Sequence, residues 1–330
     1  MPRLNKLDDV LFPVEEHPVF VSVSNGEPEK RLLVPDKKAI VNTKSERVLG
    51  IVSRGYLLVT NQQALDWAFQ CCRTVFPETQ VGEWEVKATD APSTGGHCFI
   101  DILHNSTALD FSIVAPNERP DAFGPFIRVT NSYNRRRALA FDIGFYRKVC
   151  KNGMIFRDAI IRFTFTHLRR ELGEEIQFEV SNQKLADAKA SFRQYLDTLR
   201  NCKVIRVDFE PMLRVALLLS VPTDLKPDTR EAEQSTELEA HLSELSDRYA
   251  REVGENAYAV FNAITEFASH PPANRYVNRE RHSFQKLAGS WLTDFSAQCR
   301  RSGFTIAKYL EESVNSETQR VSYQENPPGA

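Results

Sequence analysis

The sequence predicts an α+β protein: an antiparallel sheet region packed against helices, with a mainly helical C-terminal part. Three observations carry this reading. Between Val81 and Leu168 apolar residues recur with a period of two, as in strands. From Leu185 onward the spacing becomes helical and stays so. The strand segments are apolar on one side and polar on the other, and a sheet of that kind requires a helical layer over its apolar face.

At 330 residues, with 42% apolar and 26% charged side chains, the chain is long enough for one large domain or two ordinary ones and too apolar for wholesale disorder. Residues 1–60 read as a β-rich segment. Residues 18–23 (PVFVSV) alternate, Asn25-Gly26 is a hairpin turn signal, and 38–42 and 48–59 continue the β pattern. A helix begins at Asn61, whose side chain serves as a cap ahead of Ala64, Leu65, Ala68, Phe69 and Cys72, and Pro77 ends it. Trp84 with Val86, then 99–103 and 108–114, read as strands. Gly95-Gly96 and Gly124-Pro125 read as loop punctuation. Leu139, Phe141, Ile143 and Phe145 share one face; so do Ile161, Phe163 and Phe165, with Arg162, Thr164 and Thr166 opposite. Leu185, Ala188, Phe192, Tyr195, Leu196 and Leu199 form a helical stripe, and a second helix is expected over about 211–219. Segment 61–220 is thus a helix plus sheet core with its following helices. The polar stretch 221–236 reads as a linker or mobile loop. Helices are expected at 237–252, 256–269, 283–300 and 304–314 within a helical part 237–315, and 316–330 reads as a disordered tail.

Cysteines at 71, 72, 98, 150, 202 and 299 contain no Cys-x-x-Cys pair, so neither a zinc framework nor a disulfide scaffold is indicated and buried reduced thiols are expected. The N-terminus is too charged for a signal peptide, and the longest apolar run, 215–221, is too short to cross a bilayer. A cytoplasmic protein without membrane contact is expected.

The clearest electrostatic feature lies at 124–170. Eleven basic residues face only Asp142 and Asp158, a surplus of nine in a chain whose net charge is -2. Nine of the eleven are Arg, the cation suited to bidentate phosphate contacts. Asn131-Ser132-Tyr133-Asn134 reads as a hairpin tip with Arg135, Arg136 and Arg137 on the outgoing strand, and Tyr133, Phe145, Tyr146 and Phe156 could stack on bases. The nucleic-acid-binding candidates are Arg128, Tyr133, Arg135, Arg136, Arg137, Arg147, Lys148 and Lys151. The competing reading pairs these arginines with the nine acids of 228–256.

No Walker A or dinucleotide fingerprint is present. Asn262, Glu266 and His270 share a helical face, and with His167 or His104 they could form a divalent-metal or acid–base centre. The plainer account is a hydrogen-bonding face with His270 at the helix end. No cofactor is expected outside that metal alternative, and no metal ligand set is assigned.

Asn131-Ser132-Tyr133-Asn134, then Arg147-Lys148-Val149-Cys150-Lys151-Asn152-Gly153-Met154, then Phe261-Asn262-Ala263-Ile264-Thr265-Glu266-Phe267, together resemble the phage- and plasmid-related family of uncharacterised proteins typified by YfjQ, YubP and YafZ. The likeness extends over roughly 40–315. Leu168 stands where the family usually has Thr, and Tyr133 with three arginines replaces its usual His-Asp-Gly turn. The resemblance implies structural roles for Asn131, Ser132, Cys150, Asn152, Gly153, Asn262, Thr265 and Glu266, and residence on mobile genetic elements. It implies no reaction.

The expected function is therefore that of a mobile-element accessory protein binding DNA, single strands included, in recombination, replication or host-defence interplay. The alternatives are an enzyme centred on His167, Glu266 and His270, and a protein-interaction or anti-defence factor. Homo-oligomerisation stays open.

Overall fold

The computed structural model describes residues 3–23, 30–113, 121–148, 152–154, 161–167, 178, 182–220, 226 and 229–313. The chain forms an α+β fold in two compact units: Met1–Tyr146 with Ile160–Leu185, and Arg147–Ala159 with Ala186–Ala330.

The first unit opens with β1 (Arg3–Leu4), the short helix α1 (Leu7–Val10), and an antiparallel meander of β2 (Val14–Val23), β3 (Lys30–Asn42) and β4 (Arg47–Ser53). The far end of the β2–β3 ribbon pairs Phe20 with Leu33 and Val21 with Leu32, all four exposed. β4 stops six residues short of the expected 59, because a turn closed by Tyr56 N donating to Ser53 O (3.0 Å) follows it.

Helix α2 (Asn61–Val75) is capped by Thr60 rather than Asn61. The Thr60 hydroxyl accepts from Gln63 N (3.1 Å), and the Gln63 side chain accepts from Thr60 N (2.9 Å), a reciprocal pair that satisfies two of the helix's orphan donors. Its buried face (Ala64, Leu65, Ala68, Cys71, Cys72, Val75) covers the main sheet. That sheet is built from β5 (Trp84–Pro92), β6 (His97–His104), β7 (Phe111–Ile113), β8 (Asp121–Ser132) and β9 (Leu139–Arg147); β10 (Asn152–Met154) follows in the second unit, and β11 (Ile161–Phe165) returns to β9. The order is β1-β5-β6-β8-β9, with β7 on β8 and β11 on β9. Ile100, Ile102, Ile127, Val129, Leu139, Phe141 and Ile143 pack under α2, as the period of two requires.

Gly124-Pro125 lies inside β8, not in a loop. β8 pairs with β7 up to Phe123 and with β6 from Phe126, so Pro125 falls between two partners where no ladder hydrogen bond is needed from it.

The second unit contains most of α3 (Asn182–Asn201), then α4 (Arg206–Leu217), α5 (Arg230–Val253), α6 (Ala257–Ser269), α7 (Arg281–Cys299) and a helical stretch over 306–313. α4 starts ahead of the expected Pro211, which sits within the helix. α5 starts at Arg230, so 230–236 is helix rather than linker; Thr229 caps it by accepting from Ala232 N (3.2 Å), and Glu231 and Glu233 favour a helix N-terminus. α6 is buried at every position except Glu266 and packs against α4, α5, α7 and β10. The Asn25-Gly26 turn, most of 221–228, and the tail 316–330 lie outside the described residues. Among the described residues, no helix is long and apolar enough to cross a membrane.

Candidate functional site

The turn after β8 carries the arginines of the site, and a polar corner holds it. Asn131 Nδ2 donates to Val59 O and to Asn61 Oδ1 (2.9 Å each), and Asn61 Nδ2 donates to Val10 O (2.8 Å). The Tyr133 hydroxyl accepts from Asn61 N (2.9 Å), and Tyr56 Oη donates to Ser132 O (2.5 Å). Asn131, Ser132 and Tyr133 are buried, so they form the floor of the turn and not its exposed tip. Asn134 Oδ1 accepts from Ser132 Oγ (3.0 Å) and from Arg136 N (3.1 Å). Gly50 lets the chain approach so closely that a Cβ there would lie 2.7 Å from Asn134 Cα and from Tyr133 O.

Arg135, Arg136 and Arg137 ride on this fixed corner, ahead of β9 rather than within it. Arg135 takes φ +61°, a left-handed conformation that side chains other than glycine rarely adopt. Arg135 and Arg136 are exposed, and among the described residues no carboxylate pairs with either. The Arg137 guanidinium lies 5.8 Å from the Phe99 ring centroid.

The three arginines and Ala138 line a cleft of about 310 Å³, with Ser53, Tyr56, Thr166 and His167 completing it. His167 is 6% exposed. Its ring stacks on Tyr56 at 4.6 Å and 15°. His167 Nδ1 lies 3.1 Å from Leu57 O, and Leu57 N donates back to His167 O (2.9 Å). A carbonyl only accepts, so Nδ1 carries the hydrogen and Nε2 keeps its lone pair. Nε2 is buried and has no hydrogen-bond partner among the described residues. Burial lowers the His167 pKa, offset in part by the bond to Leu57, and burial raises the Tyr56 hydroxyl against the opposing pull of Arg135. Both groups are neutral near pH 7, so the guanidinium groups supply the charge. A cationic lip beside a neutral acceptor suits an anion that also carries an O–H or N–H.

Other predicted contacts fall elsewhere. Arg128 is 0% exposed and holds Asp101 by two hydrogen bonds, Nε–Oδ1 at 2.5 Å and Nη2–Oδ2 at 2.6 Å, so it is a core ion pair and no DNA contact. Arg162 holds Asp142 in the same way across the β9–β11 pair. Tyr133, Phe145 and Tyr146 are buried and offer no stacking face; the Tyr146 hydroxyl donates to His104 O (2.8 Å). Arg147, half-buried, donates from Nη1 to Asn262 Oδ1 (2.9 Å) in the second unit, and Lys148 is also half-buried. Cys150, Lys151 and Phe156 lie outside the described residues.

Three of the nine acids of 228–256 find arginines in their own unit: Asp247 with Arg206 (2.6 Å), Glu239 with Arg214 (3.5 Å) and Glu231 with Arg275 (2.6 Å). Glu266 pairs with Arg248 (3.2 Å) and accepts from the Tyr249 hydroxyl (3.2 Å). Asn262 Nδ2 donates to Tyr258 O (2.8 Å), and Thr265 Oγ1 to Asn262 O (2.9 Å). His270 caps the C-terminus of α6 and is exposed. Asn152 and Gly153 belong to β10, beside α6 and α7. His167 belongs to the first unit and Glu266 and His270 to the second, and among the described residues no three His, Cys, Asp or Glu side chains are grouped to hold a metal ion.

Sequence reasoning missed Ser53, Tyr56 and Thr166. They come from separate chain segments and share no periodicity or spacing with the arginine run that would have flagged them.

Fold and site define an α+β protein whose first unit presents an arginine-lipped cleft on a rigid polar corner. The chain belongs to the family described as Domain of unknown function (DUF932), whose model matches residues 48–291, a span that includes every cleft residue. No curated protein and no solved structure matches it.

Proposed function

We propose that this is a mobile-element accessory protein of the phage- and plasmid-related kind typified by YfjQ, YubP and YafZ, which binds DNA in recombination, replication or host-defence interplay. The contact runs through Arg135, Arg136 and Arg137 to backbone phosphates. The observation that supports it most is the pair of exposed guanidinium groups, Arg135 and Arg136, fixed on a braced turn with no carboxylate partner among the described residues. A flexible surface arginine loses side-chain freedom on binding; a preset turn reduces that cost. Since the aromatic groups described near this segment are buried, stacking contributes little and the contact tolerates any base sequence.

The test is fluorescence anisotropy with mixed-sequence DNA, single- and double-stranded, comparing the parent chain with Arg135, Arg136 and Arg137 all changed to Ala. The triple variant should lose about tenfold or more in affinity at low salt. Equal affinity in the two proteins overturns the reading.

A second reading, an acid–base centre in the same cleft, is favoured by the unpartnered Nε2 of His167. It predicts that DNA incubated with the protein is chemically altered and that His167→Gln stops this. DNA recovered unchanged leaves binding alone.

A further inference from the structure

Cys71, Cys72 and Cys98 are buried, and burial pushes the Cys98 thiol up to about 12; such thiols are inert. Cys202 and Cys299 are different. Both are half-exposed, and both line one cleft of about 510 Å³ in the second unit, with Thr198, Asn201, Lys203 and Phe304 around them. Cys202 follows the last turn of α3, and Cys299 is the last residue of α7. The corner that carries Cys202 is fastened on both sides. Its N–H donates to Leu199 O (3.2 Å), its carbonyl accepts from Ala257 N (2.9 Å), and Lys203 bridges to Asn256. The two thiols face the same cleft, and each perturbs the ionisation of the other.

We propose that Cys202 and Cys299 form a reversible dithiol–disulfide site, reached through this cleft by low-molecular-weight disulfides. Two thiols that line one cleft, one of them on a fastened corner, can close to the S–S length of about 2.05 Å. Cys299 holds the Cys202 thiol below its ordinary range, while Cys299 itself is held above it and keeps the proton. Cys202 is therefore the attacking thiolate. It attacks one sulfur of a disulfide such as oxidised glutathione; the S–S bond breaks, and the first small thiolate leaves and takes up a proton. Cys299 then gives up its proton and attacks Cys202 Sγ, forming the internal S–S bond and expelling the second small thiolate, which is protonated in turn. Two electrons pass from the protein to the small disulfide, and the two thiol hydrogens end on two small thiols. The product ties the end of α3 to the end of α7. No part of this depends on DNA binding.

The experiment exposes the full, native chain to oxidised glutathione and reads intact mass and tryptic peptides. The parent chain should lose two hydrogens without retaining an adduct, and the peptides carrying Cys202 and Cys299 should be joined until reduced. Cys299→Ser should trap glutathione on Cys202, and Cys202→Ser should slow adduct formation by about tenfold or more. Circular dichroism melts of both variants check that they fold. A parent chain that keeps both thiols titratable, or that joins Cys202 to Cys150 instead, overturns the proposal.

Discussion

Arg128 and Arg135 belong to the same basic run and have opposite fates. Arg128 faces Asp101 directly across the β6–β8 ladder, and its guanidinium is sealed from water. Arg128→Ala would leave a buried carboxylate without its counter-charge, at a cost of about 3–5 kcal/mol read from a denaturant midpoint. Replacing both partners, Asp101→Leu with Arg128→Met, should recover most of that loss; a double variant as unstable as the single one would contradict the pairing account. His167 offers a second residue-scale test. Burial holds its folded pKa below the unfolded value near 6.5. Above that value neither state binds the proton, and the stability it contributes is complete. As pH falls below 6.5 the unfolded chain takes the proton first, so stability is lost on acidification. His167→Gln should therefore flatten the fall in melting temperature between about pH 6.5 and 5. It should do so only in part, since burial also lowers His241. An unchanged slope would contradict a neutral His167.

At the scale of elements, the corner between β8 and β9 is the feature that makes the site. Gly50→Ala would drive a methyl group into the backbone at Tyr133 and Asn134, neither of which is the far end of a flexible side chain. A loss of about 1–3 kcal/mol and weakened DNA binding should appear together, measured by thermal melting and anisotropy. Thr60→Ala should cost α2 about 1 kcal/mol without touching the arginines, and it serves as the control for stability alone. The elements themselves were legible wherever periodicity was strong: the α2 stripe, the alternation of β9 and β11, the apolar run of α6. Gly124-Pro125 misled because local turn chemistry cannot reveal that a strand changes partners at that point. The start of α5 was hidden by its polarity, since a surface helix with few apolar residues resembles a linker. The arginine run announced a site, but sequence alone did not separate buried from exposed members. The cue was an acid at the same register on the neighbouring strand, Asp101 for Arg128 and Asp142 for Arg162, and register is known only once strands are paired. The cleft draws on 53–56, 135–138 and 166–167, and the long-range folding that joins them leaves no local pattern.

For the whole molecule, the segregation of charge in the sequence resolves into two separate patterns. Glu231, Glu239, Asp247 and Glu266 pair with arginines of their own unit, and the sheet supplies Asp101 and Asp142 for two of its own cations. Among the described residues, what stays exposed at the corner is a small cationic lip. Binding by such a lip releases few counterions, and the number released can be counted. The decisive measurement is the slope of log affinity against log salt for mixed-sequence DNA. The parent chain should show a slope steeper by about 2 to 3 than the Arg135, Arg136 and Arg137 triple-Ala variant, one phosphate contact for each guanidinium. Parallel lines for the two proteins would contradict the assignment of the corner as the DNA contact.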